Sequence, residues 1–308
     1  VSQTDVLAYQ PGGGLGSSAG LIEYDRTGKV VATIGERANY FGPVRLSPDG
    51  RRLAVAIGDP GDVYLLETAT GVPTRLTFSS GSTQVGGWSP DGTQVVYSSL
   101  RQKNGRYGIF AKLASGADAE RTLLLGKGVG HIADDWSRDG RFVSYQENVP
   151  NAHRWTGFLP VSDPSRAALL LREHDGDETM SAIAPDSRWI AYSVFTSGAP
   201  AIVVSPFPGP GGKWQVSAAG YNPRWRGDGK ELYFLAPDLT LMAAEVDGTA
   251  AEFRVGRVTP LFHTHAFSNP GYAYDVTADG QKFIVTSVDT EETPTITLVL
   301  NWRESLLK

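Results

Sequence analysis

Four short clusters in this 308-residue chain combine residue types and spacings that could do chemistry. Gly16-Ser17-Ser18-Ala19-Gly20 fits G-x-S-x-G, the turn that presents a serine nucleophile in many hydrolases. That turn joins a strand to a helix, whereas this pentapeptide sits in a Gly-rich stretch between two strand-like runs, so it reads as a loop. Glu173-His174-Asp175-Gly176-Asp177-Glu178 is the densest acidic run, and closely spaced oxygen ligands could hold Ca²⁺. It lacks the Asp-x-Asp/Asn-x-Asp/Asn-Gly order of an EF-hand, so a solvated loop is the default and a Ca²⁺ site the alternative. His263-Thr264-His265 places two imidazoles on one side of an extended segment, which is half of a transition-metal site. No third ligand lies nearby in sequence, because His131, His153 and His174 fall in other repeats, and no metal site is assigned. Asp134-Asp135 is a carboxylate pair of the kind that serves as acid and base in glycosidases. Successive strand residues point to opposite faces, so channel lining or a hydrogen bond between repeats is the better reading. No catalytic residue is assigned, and the segment is read as non-enzymatic.

The elements that must position these residues come from one phrase. Ser47-Pro48-Asp49-Gly50 returns as Ser89-Pro90-Asp91-Gly92 and Ser137-Arg138-Asp139-Gly140. Weaker copies are Ala184-Pro185-Asp186-Ser187, Arg226-Gly227-Asp228-Gly229 and Thr277-Ala278-Asp279-Gly280. Asp-Gly between alternating apolar runs signals a hairpin, and a type I′ turn with positive φ at both residues is expected. The turn aspartates are 42, 48, 47, 42 and 51 residues apart, a period that means propeller blades or solenoid units. Each interval holds a hairpin, a third strand such as residues 62–66 or 108–113, and a fourth such as residues 74–78 or 122–125. Four strands per repeat make a propeller blade.

The fold class is therefore all-β: one propeller domain of four-stranded antiparallel blades over residues 1–308. Residues 1–10 look like a worn seventh copy with Asp5 at the turn, 44 residues before Asp49. Residues 21–25 and 29–33 would be its third and fourth strands. Seven blades are expected, with six as the alternative. The last repeat offers strands at 272–276, 283–286 and 297–302 but no fourth, so its blade reads as incomplete. Open strand edges are a liability, and the missing strand is expected from sequence upstream of Val1, in a longer parent protein.

Composition bounds the partners. Net charge is −5 with no Lys/Arg-rich block, which disfavours nucleic acid. There is no cysteine, so no disulfide or thiolate site. No apolar run approaches membrane-spanning length, and no membrane contact by this segment is expected.

The Ser-Pro-Asp-Gly-Arg phrase, preceded by Trp88 in one copy and by Trp136 and Trp225 in looser ones, resembles the TolB-type, WD40-like propeller repeat. A narrower resemblance rests on Ser205-Pro206-Phe207-Pro208-Gly209-Pro210-Gly211-Gly212-Lys213-Trp214, on Asn222-Pro223-Arg224-Trp225, on Tyr24-Asp25-Arg26-Thr27-Gly28-Lys29 and on the closing Val299-Leu300-Asn301-Trp302. Together these resemble the C-terminal extracytoplasmic propeller of bacterial membrane-anchored Ser/Thr kinases of eukaryotic type. The resemblance implies a ligand-sensing or protein-interaction propeller outside the cytoplasm. No kinase motif occurs in the chain, so phosphoryl transfer cannot reside here. The alternatives are a TolB-like periplasmic interaction platform and a propeller hydrolase or lactonase. The expected partner is a peptide, protein or small ligand, and no cofactor is assigned.

In a propeller the loops between blades and those joining second to third strands share one face, and loops carry function. Tyr40, Phe41, His131, Asp134, Glu178, Tyr221, Asn222 and Tyr272 each lie just upstream of an inner strand and are therefore expected to ring the channel mouth. Trp155 lies outside the Trp register of the repeats and is expected to be a contact anchor. Trp88, Trp136 and Trp225 are expected to pack between blades.

Overall fold

The computed structural model describes residues 6–9, 18–79, 81–101, 105–117, 119–126, 129–148, 153–164, 169–171, 176–196, 199–209, 211–250, 252–266, 273–288 and 297–300. In chain order, β1 (Val6–Tyr9) is followed by β2 (Ala19–Asp25) and β3 (Val30–Ala38). Blade 1 is β4 (Tyr40–Leu46), β5 (Arg52–Gly58), β6 (Gly61–Glu67) and β7 (Pro73–Arg75). Blade 2 is β8 (Thr83–Trp88), β9 (Gln94–Ser99), β10 (Gly108–Leu113) and β11 (Arg121–Leu124). Blade 3 is β12 (Gly130–Trp136), β13 (Phe142–Asn148), β14 (Arg154–Pro160) and β15 (Leu169–Leu171). Blade 4 is β16 (Asp177–Ile183), β17 (Trp189–Phe195), β18 (Ala201–Pro206) and β19 (Trp214–Ser217). Blade 5 is β20 (Tyr221–Trp225), β21 (Glu231–Leu235), β22 (Thr240–Asp247) and β23 (Arg254–His263). Blade 6 takes its inner strands, β24 (Tyr274–Val276) and β25 (Lys282–Ser287), from late in the chain and its outer strands, β2 and β3, from the beginning.

The propeller thus has six blades, not seven. The run at residues 6–9 is not the second strand of a first blade; it pairs antiparallel with β26 (Thr297–Leu300) in a separate two-stranded sheet. Residues 297–300 therefore do not form the third strand of the last blade. That place is filled by β2, whose Tyr24 pairs with Phe283 and whose Gly20 pairs with Ser287. The third and fourth strands expected near residues 21–25 and 29–33 do form, but in the last blade. The blade is complete, and ring closure no longer calls for a strand from upstream of Val1. One sheet edge is covered by another part of the same chain, the usual remedy for an unpaired edge.

A clamp holds the closing strands. The Arg26 guanidinium, on the β2–β3 turn, donates to both Glu231 oxygens at 2.5 and 2.9 Å and to the Tyr233 hydroxyl at 2.9 Å, all on blade 5. Lys282 Nζ donates to Glu23 Oε1 at 2.8 Å inside blade 6. On the other side, the left-handed Gly71 of blade 1 packs so close to Gly35 of β3 that an added Cβ would lie 2.2 Å from the Gly35 nitrogen.

The repeated phrase does not make a type I′ turn. In blade 1 the Gly50 amide donates to Ser47 O at 2.8 Å, and positive φ occurs at Gly50 and not at Asp49. Pro48 sets the φ that the second residue of a type I turn requires, and Gly50 absorbs the left-handed fourth position. Asp49 caps the turn instead of twisting through it: its Oδ1 accepts from Ser47 Oγ at 2.6 Å and from the Arg51 amide at 3.1 Å. The same pair of bonds recurs at Asp91 and Asp139, and at Asp279 with Thr277 in place of Ser. These bonds hold the Asp49, Asp91 and Asp279 carboxyls below their usual range.

The core lies between blades. Trp88 packs with Ala54, Val63 and Leu65 of blade 1, Trp136 with Val96 and Ile109 of blade 2, and Trp225 with Ala182, Trp189 and Ile202 of blade 4. Packing between blades is the role the register of these tryptophans implied. Two of them also stitch the ring: Trp88 Nε1 donates to Arg45 O and Trp225 Nε1 to Ala182 O, each at 2.9 Å and each in the preceding blade.

Candidate functional site: a blind funnel on the turn face

The inner strands β4, β8, β12, β16, β20 and β24 surround the propeller axis. Five of them carry a bulge against their second strand, at Phe41/Arg45, Val85/Gly87, Ala133/Asp135, Thr179/Ala182 and Tyr221/Arg224. A bulge bends the strand and re-aims the residues that follow it. Met180 and Asn222 adopt left-handed backbone at these points, with φ of 57° and 64°. Such conformations in non-glycine residues persist only where the surroundings enforce them.

Immediately after the bulges the six strands present one repeat position to the axis: Arg45, Gly87, Asp135, Ala182, Arg224 and Asp275. Together with the hairpin turns they line a cavity of about 380 Å³ that opens on the turn face. Its rim carries the residue before five of the turn aspartates, Pro48, Arg138, Pro185, Gly227 and Ala278, together with the turn carboxylates of Asp49 and Asp279.

The two carboxylates work as links between blades. Asp135 accepts its neighbour's amide, Trp136 N, at 2.8 Å on Oδ1 and the Ile183 amide of blade 4 at 2.8 Å on Oδ2. Asp275 repeats the arrangement, with Val276 N at 3.0 Å and the Leu46 amide of blade 1 at 2.7 Å. Arg45 reaches across blade 2. Its Nε donates to Gly86 O at 2.9 Å and its Nη2 to Asp134 O of blade 3 at 3.2 Å. Gly86 lets blades 2 and 3 approach closely; a Cβ on it would stand 2.6 Å from that of Ala133. Arg224 Nη1 donates to Pro223 O at 2.9 Å, and its Nε lies 3.8 Å from Asp275 Oδ1.

Below this ring the axis is filled. Val44, Val85, Ala133, Asp134, Ser181, Asn222 and Tyr274 are all buried. Asp134 Oδ2 accepts from the Ser181 amide at 3.0 Å and the Ser181 hydroxyl at 2.8 Å, and Oδ1 accepts from Gln146 Nε2 at 2.6 Å. Tyr274 OH donates to Asn222 O at 3.0 Å. The cavity is therefore a funnel with a closed base. Burial dominates the electrostatics there. It pushes the Arg45 guanidinium down to about 9, assisted by repulsion from Arg224 and opposed by Asp275, Asp135 and Asp134. It lifts Asp134 to about 6 against the bonds from Ser181 and Gln146, and it also raises Asp135.

The residues singled out from sequence lie elsewhere on the axis or off it. Tyr40 is buried and its hydroxyl donates to Glu36 O at 2.8 Å. Phe41 and Tyr221 are half-buried. His131 is buried edge-on to Tyr145, with Nε2 3.5 Å from Glu147, and burial lowers its pKa. Glu178 is fully buried and faces the Thr156 amide of blade 3 at 3.5 Å. Asp134 and Asn222 lie inside the filled layer, not at a rim. Trp155 is the second residue of β14, a third strand away from the axis, edge-on to His153 at 5.9 Å. Tyr272 lies outside the described residues, as do Gly16 and Ser17 of the serine pentapeptide and the acidic residues Glu173 and Asp175. His263 and His265 are exposed with rings 5.8 Å apart, and among the described residues no group of three metal-binding side chains occurs. Asp134 and Asp135 each make the blade-to-blade hydrogen bond favoured from sequence. Of the ring formed by Arg45, Asp135, Arg224 and Asp275, only Asp135 was singled out from sequence. Aligning the repeats as columns would have exposed the rest, because charge recurs two positions before the first residue of the phrase.

No family model matches the sequence, and no curated protein matches it. The fold has many solved counterparts. A putative TolB from Agrobacterium tumefaciens superposes with a TM-score of 0.65 at 17% identity, over 88% of this chain and 98% of that one. TolB from Acinetobacter baumannii gives 0.58 at 13% identity, over 90% of this chain and 64% of that one. An oligogalacturonate lyase solved in complex with manganese gives 0.57 at 16% identity, over 94% of this chain and 83% of that one. At these identities the likeness is one of fold, and the chain is a six-bladed β-propeller of the architecture seen in TolB structures.

Proposed function

We propose that this propeller is a non-catalytic interaction platform whose partner seats in the funnel on the turn face. The carrying observation is the cavity of about 380 Å³ closed at its base by a hydrogen-bonded charged layer. A rigid concave site with a few placed polar groups is the usual form of a binding pocket. Asp135 and Asp275 have each oxygen tied to a backbone amide, which holds them as caps and favours binding over acid–base chemistry at this place. The likeness to TolB structures supports the same reading, and the lyase likeness supports only the shared fold. The kinase-sensor reading and an extracytoplasmic location keep the sequence phrases as their support.

Because the chain has no cysteine, single-cysteine variants test the reading directly. Pro185→Cys at the turn-face rim and Phe41→Cys near the opposite end of β4, each carrying a photo-crosslinker, would be exposed to extract of the source cells. Crosslinks formed at position 185 and not at position 41 are expected. The reverse pattern would overturn the reading.

A further inference from the structure

We infer that a second cavity on the turn face, between blades 4 and 5, takes the guanidinium of an arginine side chain from a partner protein. The cavity holds about 440 Å³ and is lined by Trp225, Val246 and the turn residues Asp228, Gly229 and Lys230, among others. It shares one lining residue, Trp225, with the funnel.

The repeat itself supplies the occupant. At the seam between blades 1 and 2 the same place is filled from within the chain. Arg52 lays its guanidinium over the Trp88 ring, 4.8 Å from the centroid, and its Nη2 donates to Gly92 O at 3.0 Å. Trp225 and Gly229 are the repeat counterparts of Trp88 and Gly92. The two indoles are held alike, because each Nε1 donates at 2.9 Å to a carbonyl at one repeat position, Arg45 or Ala182. The backing strands match as well: Val246 N donates to Lys230 O at 3.0 Å as Ala114 N does to Thr93 O at 2.8 Å. What differs is the plug. The counterpart of Arg52 is Trp189, and its ring packs towards the outer strands, 5.3 Å from Trp214 and 5.1 Å from Phe253. Its Nε1 is tied to Gly248 O at 2.9 Å. An indole held there leaves open the space that a guanidinium fills at the sister seam.

The turn carbonyls point to the same chemistry. Four of the five turn glycines have a side-chain donor on their oxygen: Thr68 Oγ1 on Gly50 at 3.0 Å, Arg52 on Gly92, Trp136 Nε1 on Gly140 at 3.3 Å and Arg26 Nη1 on Gly280 at 3.2 Å. Gly229 O accepts from none of the described residues. A planar guanidinium stacks on an aromatic face and donates in its own plane at the same time, which a compact ammonium does not do. Net charge is not the selector. Asp186, Asp228 and Asp247 in the lining stand with Lys230, with Arg226 paired to Asp228, and with Arg188 bonded to Thr249 O.

The test uses three peptides on the intact chain, N-acetyl-Gly-X-Gly-amide with X as arginine, lysine or citrulline, the uncharged isostere of arginine. Binding is followed by NMR through the Trp225 indole N–H, assigned with Trp225→Phe, and through the amides of residues 228–230 and 246–249. The arginine peptide should bind at least about threefold more tightly than either of the others. Arg52→Ala should open a second site, seen as a shift of the Trp88 indole that the wild type does not show. Equal affinity for the arginine peptide and either of its counterparts would overturn the inference. So would the absence of shifts at about 10 mM arginine peptide, or a silent Trp88 indole in folded Arg52→Ala. The funnel reading stands or falls on crosslinking at position 185, which these titrations leave untouched, so the two fail separately.

Discussion

Asp275 on the last inner strand accepts the Leu46 amide of the first at 2.7 Å, across 229 residues of chain. Asp135 makes the same bond to Ile183, between blades 3 and 4, at 2.8 Å. Leu46 and Ile183 occupy one repeat position, and so do the two aspartates. The ring is thus locked twice by one device, once within the run of blades and once at the seam where it closes. Each lock replaces amide hydration with a charge-assisted bond in a partly buried place, where such a bond is stronger than in open water.

Removing the seam lock should be costly. Asp275→Ala leaves the Leu46 amide without its acceptor and takes a carboxylate from beside Arg224. A loss of about 2–4 kcal/mol in urea unfolding is expected. Asp275→Asn keeps an acceptor for one of the two amides and should lose less. A loss below about 0.5 kcal/mol for the alanine variant would show that the bond does not hold the seam.

The Arg26–Glu231 pair ties the closing strands to blade 5 and is only partly exposed, at 29% and 13% for the two side chains. A double-mutant cycle of Arg26→Ala and Glu231→Ala should return a coupling of about 1–2 kcal/mol, above that of an ordinary surface pair. Limited proteolysis between β3 and β4 should accelerate in Arg26→Ala, because the outer strands of blade 6 come from the chain start.

Gly71 and Gly50 separate crowding from backbone strain. Both have left-handed φ, near 70°, but an added Cβ at Gly50 meets nothing within 4 Å, whereas at Gly71 it meets the Gly35 backbone at 2.2 Å. Gly50→Ala should cost about 1 kcal/mol. Gly71→Ala should cost about 2–4 kcal/mol, since the backbone of β3 would have to move. Thermal unfolding of the two variants side by side checks the order.

Asp134 and the turn aspartates should respond to pH in opposite directions. The folded state lifts Asp134 to about 6 by burial, so it binds a proton more readily when folded than unfolded. Its effect on stability is most favourable below the unfolded carboxylate range and declines as pH rises towards 6. Asp49, Asp91 and Asp279 are held low, so their contribution is present above the unfolded range and is lost on acidification. Comparing the wild type with Asp134→Asn at pH 4.5 and 7.5 isolates the first effect. The wild type should gain roughly 1–3 kcal/mol relative to the variant at the lower pH. No change in that difference would contradict the assignment of burial as the dominant cause.

The blades were legible in the sequence because each is specified locally. Ser or Thr, a turn-compatible residue, Asp and Gly carry their own hydrogen bonds, as Ser47, Asp49 and Gly50 do, and the alternation after them states which face is buried. Proline in the phrase also contained the information that the turn is type I, which reading Asp-Gly alone obscured. The tryptophan register likewise stated its own role between blades.

What the chain could not state locally was decided by the closed ring. Whether residues 21–25 begin a seventh blade or complete the sixth depends on pairing with Phe283 and Val285, more than 250 positions away, and no local pattern encodes that partner. The funnel is similar. Arg45, Asp135, Arg224 and Asp275 are unremarkable one by one. They become a site only when the ring brings six inner strands to one axis, where burial changes what each charge must do. The sequence by itself determined the unit and its turns, since those rest on neighbours within ten residues. The number of blades, the seam and the charged base rest on contacts made only once the ring shuts, and so belong to the tertiary structure.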